Sequence, residues 1–370
     1  VSRLLAAAAL MALSSAPVVT SDTIRVAIVE NARVAELRGV DIGVSELGCP
    51  ACPHRASRAD AVRVVAGSQG VEIDGRPAPG FRLTSDAPIR LNGREYPAPL
   101  EVVRTGEGLA VVNVLRLEEY LVGVLRAETS ERWPGETLRA QAIAARTYAA
   151  YHRALNVAKP YHLVASTTHQ MYTGWVPASS PIWAAVLDTS GRVLLWDGDL
   201  FPAFYHSASG GYTEDPRTVF GARNMPALKA VRDDYSTAAP HFYWSLDLRL
   251  ADLSEILRRN AHDVGSVTAI EVTERTPSLR VSMLTVRGTR GSARLRGNDF
   301  RRLVGYEIVR STLFAVALDG AVARFSGRGY GHGVGMSQWG AKGMAEQGYT
   351  AERILEYYYP GTTLGSLGGR

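Results

Sequence analysis

Glycine falls on every second position of FSGRGYGHGVGMSQWG, at 327, 329, 331, 333 and 335, and no other stretch so narrows what this chain can fold into. Side chains alternate between the two faces of a strand. In extended form one face here is bare backbone, and the other carries Arg328, Tyr330, His332, Val334 and Met336. Glycine weakens a strand through entropy and lost packing, so five in series need a reason. Two readings stay open. The bare face admits a flat ligand to hydrogen-bonding range of the backbone, or it lets another element of the protein pack tightly against it.

The rest of the chain reads as alternating regimes. TIRVAIVE, AVRVVAG, GVEIDG, IRLNGREY, LEVVRTG and LAVVNVL are short β-branched runs, punctuated by Asp74-Gly75 and Asn92-Gly93. Those dipeptides make two-residue hairpin turns. The period changes at Leu117: Leu117, Tyr120, Leu121, Val124 and Leu125 are spaced for one face of a helix. TSERWPG ends that helix, and Pro134 opens a second, alanine-rich one. Strands return at RVLLWDGD and LFPAFYHSASGG, joined through Asp197-Gly198. A helix is predicted over 250–260, then a β-meander, a short helix capped by Asn298, and a hairpin at Asp319-Gly320 whose second strand runs into the glycine series. Ser337 and Thr350 cap two final helices. The order predicts an α+β fold, with an N-terminal β-rich region over 22–114 packed on a mixed helix and β-meander core over 115–370.

The first residues read differently. Arg3, an apolar run from Leu4 to Leu13 and the small residues Ser14, Ser15 and Ala16 follow the order of a secretory signal peptide over 1–21. The run is short for a membrane span; the alternative is a buried helix. Export to the periplasm or cell envelope is therefore expected. Net charge is +5, and only three of the 41 basic side chains are lysines. The charge is diffuse and no nucleic-acid-binding signature accompanies it, which argues against nucleic acid as a partner and suits an anionic wall surface. Cys49 and Cys52, the only cysteines, lie in GCPACPHR. Export permits a disulfide; a redox pair, or half a metal site with His54, are the other readings. Pro53 and loop-like flanks favour the disulfide or an idle pair.

Glu128 is the strongest candidate for chemistry. It continues the apolar series of the first helix at its C-terminal end, where lost hydration and the helix dipole both disfavour a negative charge. A carboxyl so placed stays protonated near neutral pH, as a general acid must. The bland alternative is a structural pair between Glu128 and an arginine such as Arg146. Glu131 and Glu136 are rivals with more solvated surroundings. In HSASGGYTED a serine nucleophile is conceivable, but the G-x-S-x-G elbow is absent; small polar residues lining a groove fit better. His162 and His169 are either metal ligands or hydrogen-bonded histidines.

EEYLVGVLRAETSERWPGETLRAQAIAARTYA, QMYTG, FYHSASGGYTED and GRGYGHGVGMSQWGAKGMAEQGYTAERILEYYYPGT together resemble the SpoIID/LytB family, of the stage II sporulation protein D and amidase-enhancer type. The blocks occur in the family's order and cover most of 117–362. The resemblance implies action on bacterial peptidoglycan, by lytic transglycosylation of glycan strands stripped of stem peptides. Glu128 of GVLRAE takes the place of the family's catalytic glutamate, with Thr129 and Ser130 standing where the family has Met-Pro. The matching blocks offer Gln141, Arg146, Gln170, Tyr172, His206, Ser207, Ser209, Gly210, Tyr330, His332, Ser337, Gln338 and Trp339 as substrate-binding residues. Some members carry a zinc site of one histidine and two cysteines before Q-x-Y-x-G; no cysteine lies near Gln170, so no metal or other cofactor is expected. One carboxylate suffices for a transglycosylase, because the substrate's own C6 hydroxyl is the nucleophile, whereas hydrolases use two. The alternative within the resemblance is a non-catalytic peptidoglycan-binding module that modulates a cell-wall amidase. The sequence leads to a convergence: Glu128, Gln141, Gln170, His206, Ser207 and the Tyr330–Gln338 stretch are expected in one groove.

Overall fold

The computed structural model describes residues 22–48, 59–106, 108–221 and 225–367. The signal-peptide reading over 1–21 and the Cys49, Cys52 and His54 readings lie outside them. The fold is α+β. Strand Thr23–Ala32 pairs antiparallel with Gly108–Arg116, with Val26 opposite Asn113. Gly108–Arg116 pairs with Leu100–Thr105, and the sheet continues through Gly80–Thr84 to Val34–Glu46. Asp74-Gly75 and Asn92-Gly93 turn with both residues at positive φ, 50° and 72° in the first and 51° and 78° in the second. That is the twist a two-residue hairpin needs. At the other edge, Leu163–Val164 joins Thr23–Ala32 in parallel, which ties the later chain onto this sheet.

Strand Gly108–Arg116 runs directly into α1, Leu117–Glu128. Its neighbour α2, Gly135–Leu155, is buried at nearly every position from Thr137 to Ala150, because its alanines let other helices approach closely. Strand residues such as Ile24, Leu83 and Val111 share one apolar core with Tyr120, Leu121, Val124 and Ala145 of these helices. Two short helices follow, α3 at Ile182–Asp188 and α4 at Pro216–Phe220, neither expected from the sequence. The Asp197-Gly198 turn forms, but it closes only a Trp196–Asp199 bridge. Strand Arg192–Leu195 pairs instead with Thr363–Ser366, and of LFPAFYHSASGG only Tyr205–His206 is a strand.

A second core lies in the C-terminal half. It joins α5 (Leu250–Arg259), the meander Val267–Arg275, Val281–Gly288 and Gly291–Arg296, and α6 (Gly297–Val304). Asn298 does not cap α6; Arg296 occupies that position without a side-chain bond. Tyr243–Arg249, Val322–Arg328 and Phe314–Asp319 make a three-stranded sheet over Phe300, Phe314 and Phe325. The last helices, α7 (Gln338–Glu346) and α8 (Ala351–Tyr358), begin at the expected caps: Ser337 accepts from Gly340 N at 3.1 Å and Thr350 from Arg353 N at 3.4 Å. Both pack on α2. No helix among the described residues is long and apolar enough to cross a membrane.

The glycine series is not a strand beyond Arg328. Gly329, Gly331, Gly333 and Gly335 have φ of 78°, 113°, 87° and 71°, in the left-handed region that residues with a Cβ avoid. The stretch lies against 204–214, with Tyr205 beside Met336, Ala208 bridged to Tyr330 and Glu214 to Val334. A Cβ on Gly331 would sit 2.8 Å from the His206 Cβ, and one on Gly335 would overlap the Phe204 carbonyl oxygen. The glycines therefore serve backbone conformation and tight internal packing. The reading in which another element packs tightly on the series is the one these contacts bear out.

Candidate active site

Glu128 ends α1, where the Thr129 amide and hydroxyl both turn back to the Leu125 carbonyl, at 2.9 and 2.7 Å. Its carboxylate is held from two other segments. Met171 N donates to Oε1 at 2.9 Å, and Gln338 Nε2 to Oε2 at 3.3 Å. Ser337 fixes Gln338 as the first residue of α7, so this cap positions a donor 210 residues downstream of the acid. Burial pushes the Glu128 pKa up, against these two hydrogen bonds, which favour the anion. Beneath lies a network in which Gln170 accepts from Tyr120 OH at 3.1 Å and donates to Tyr205 OH at 3.0 Å and to the Ala145 carbonyl at 3.2 Å. Burial, with Glu128 adding to it, raises both phenols far above their ordinary range and keeps them neutral.

Aromatic rings follow both Glu128 and Gln338 in the chain, and they meet each other. Trp133, in the loop after Glu128, meets Trp339, the residue after Gln338, edge-on with centroids 5.3 Å apart. Lys342 Nζ lies 5.2 Å from the Trp339 ring centroid. Trp339 also packs against Ala208, Ala239 and Phe242, and its amide donates to the Ser207 carbonyl at 3.0 Å. His206 and His332 face each other at 5.6 Å. Burial, then each buried ring's charged neighbours, pushes His206 well below its ordinary value and His332 down to about 3. Both are neutral at neutral pH.

The rivals have other work. The Ser180 hydroxyl and Arg126 hold the Glu131 carboxyl below its ordinary value, and Glu136 pairs with Arg139 and accepts from Ala351 N at 2.7 Å, at the start of α8.

Of the residues singled out in the sequence, Gln338 touches Glu128, Gln170 and Trp339 are the chain neighbours of its two donors, and His206 and Ser207 reach the same segment through their pairing with Ser337 and Trp339. Others are corrected. Arg146 does not meet Glu128 and is no surface ligand: it is fully buried, with Nε at 2.9 Å and Nη2 at 2.5 Å from the Glu118 carboxylate. Tyr172 is buried against Tyr120 at 5.1 Å, over Gly123, and donates to Asn113 Oδ1 at 2.8 Å. Ser209 is buried and donates to Asp233 Oδ2 at 2.6 Å. Gly210 is a left-handed residue pressed on the Arg328 backbone. Gln141 is buried and Ser337 is the α7 cap. Tyr330 donates to Glu307 and packs on His241 at 5.4 Å. His162 bears out the hydrogen-bonded reading, its Nδ1 accepting from Arg25 N at 3.2 Å. Sequence reasoning missed Trp133, Tyr205, Lys342 and the Met171 amide. The first three stood inside quoted blocks as aromatic or basic residues next to polar ones, whereas a backbone donor leaves no sequence signal.

A family model described as Stage II sporulation protein matches residues 105–196, the stretch that carries α1, α2 and Met171. Stage II sporulation protein D of Bacillus subtilis (strain 168) is 30% identical over 283 residues, covering 72% of this chain and 79% of its own length. The chain belongs to the SpoIID family. The Amidase enhancer of the same organism is 31% identical over 295 residues, 66% of this chain but only 40% of that protein. An uncharacterised protein of Brachyspira hyodysenteriae is 30% identical over 309 residues, 82% of each chain. A second model, a domain of unknown function, matches residues 219–335.

Proposed function

We propose that this SpoIID-family chain acts on the bacterial cell wall as an exported lytic transglycosylase, cutting peptidoglycan glycan strands denuded of stem peptides. The observation that carries the reading is one carboxyl, Glu128, with a raised pKa, held by Met171 N and Gln338 Nε2 beside two tryptophans. Protonated Glu128 gives its proton to the glycosidic oxygen, and the bond from that oxygen to the muramyl C1 breaks. The C6 hydroxyl of the same sugar then bonds to C1, and its proton returns to the Glu128 carboxylate. The Met171 and Gln338 donors favour the carboxylate formed in the first step. The product is a 1,6-anhydro end, no water is consumed, and the scheme uses no cofactor. Trp133 and Trp339 offer apolar faces to sugar rings, with Lys342, paired to Glu346, over the Trp339 ring.

A second reading is kept because a relative is named Amidase enhancer: a module that binds wall glycan and modulates an amidase without cutting. Mass spectrometry of denuded strands incubated with the purified chain separates the two. New anhydro ends with wild type, absent with Glu128→Gln, support the transglycosylase. Strands left intact by the chain alone, with faster stem-peptide release once an amidase is added, support the module.

A further inference from the structure

The three-stranded sheet lines a groove, a cavity of about 670 Å³ walled by Tyr243, Trp244, Arg275, Leu279, Gly327 and Arg328 among others. It lies wholly inside 219–335, the stretch matched to a domain of unknown function. Tyr243 is 74% exposed, which is unusual for so large an aromatic side chain, and Leu279 is 54% exposed. Tyr243 and Arg328 are cross-strand partners, so their side chains share one face of the sheet.

Charge and continuity say what this groove takes. No carboxylate is among the described residues that line it. Arg328 has no ion pair among the described residues. The Arg275 guanidinium is fixed by two carbonyls, of Leu279 at 2.7 Å and Phe314 at 2.9 Å, which orient it without neutralising it. Trp244 forms part of the wall, and its Nε1 has no hydrogen-bond partner among the described residues. Packed side chains link the groove to the segment that carries Gln338. Trp339 packs on Phe242, and the Phe242 ring lies 5.0 Å from that of Tyr243. Arg328 Nη1 comes within 4.0 Å of where a Cβ on Gly211 would stand, at the end of the HSASGG segment that supports Trp339.

We propose that this groove is a distal subsite for a glycan strand with free carboxylates, a sugar face resting on Tyr243 and lactyl carboxylates meeting Arg328 and Arg275. A strand stripped of stem peptides exposes one such carboxylate per muramyl residue. An intact strand buries it in an amide, so the two guanidinium groups select for denuded glycan. The proposal rests on the reading of Glu128 above, since it places the remainder of the same substrate.

The test measures binding in a Glu128→Gln background, where no strand is cut. Two probes are used, denuded glycan strands and chito-oligosaccharides of equal length, which keep the sugar backbone and lack the lactyl carboxylate. The expected results are tighter binding of denuded strands, about tenfold weaker binding of both probes with Tyr243→Ala, and loss of the preference for denuded strands with Arg328→Gln but not Arg328→Lys. Tyr243 is too exposed for its loss to unfold the chain, and melting curves confirm this for each variant. Unchanged affinity in Tyr243→Ala, or a preference that survives Arg328→Gln, overturns the subsite. Cleavage by the otherwise wild-type chain is followed separately: a chain that binds in this pattern yet cuts nothing defeats the Glu128 reading alone.

Discussion

Removing Glu118 strands a charge, and the size of the loss follows from where Arg146 sits. The Arg146 side chain is 0% exposed and that of Glu118 12%, so neither has water to replace its partner. The remaining acceptors around the guanidinium, the carbonyls of Val186 and Arg192 at 3.1 Å each and, farther out, the Ala142 carbonyl and the Thr189 hydroxyl, are neutral. Glu118→Ala therefore leaves an uncompensated buried cation, a loss of about 3–5 kcal/mol. The midpoint of thermal unfolding should fall by on the order of 10 °C. Glu356→Ala is the control: its ion pair with Arg353 is 63% and 67% exposed, where truncation costs less than about 1 kcal/mol. Replacing both buried partners, Glu118→Leu with Arg146→Met, should recover much of the loss, because no charge is then left behind. Differential scanning calorimetry on the four proteins reads these values. A Glu118→Ala protein that melts like Glu356→Ala would refute the argument that α1 and α2 depend on this pair.

Three further outcomes are expected. Glu128 has a raised pKa in the folded chain, so the stability it withholds is felt only as pH climbs above its unfolded value near 4.5; Glu128→Gln should match wild type at pH 4 and equal or exceed its melting temperature at pH 8, and a lower value at pH 8 would mark Glu128 as a structural partner. Gln338→Ala removes a donor that favours the Glu128 anion, which should move the pH–rate profile for strand cleavage toward higher pH while leaving measurable activity; an unmoved profile would remove Gln338 from the site. Gly335→Ala forces a Cβ against the Phe204 carbonyl at φ 71°, and chemical denaturation should show a loss of roughly 2–4 kcal/mol, whereas a neutral effect would mean the glycine series tolerates side chains.

Local signals carried much of the fold. Asp74-Gly75 and Asn92-Gly93 specify their turns through φ alone, and the spacing of Leu117, Tyr120, Leu121, Val124 and Leu125 fixed where α1 lies and that Glu128 ends it. The caps at Ser337 and Thr350 were legible for the same reason, since each acts within three residues. What failed to read was long-range. Arg146 could have met any nearby carboxylate until the packing of α1 on α2 chose Glu118 over Glu128. The strand Arg192–Leu195 found its partner at Thr363–Ser366 across most of the C-terminal half, so its obvious turn misled. The glycine series has the period of a strand, yet the same alternation places a left-handed residue at each second step, and only contact with 204–214 distinguishes the two. For the site, Glu128 was visible from one helix, but its donors come from Met171 and Gln338, on segments that the sequence alone does not bring together.

In the proposed reaction Glu128 cuts the glycan using the strand's own hydroxyl and not water. Denuded strands digested by the purified chain in ¹⁸O-labelled water, with the new ends weighed by mass spectrometry, test it most directly. The expected ends are lighter by one water than hydrolysis products and free of the label, formed by wild type and not by Glu128→Gln. Labelled reducing ends, or anhydro ends that persist in Glu128→Gln, would contradict it.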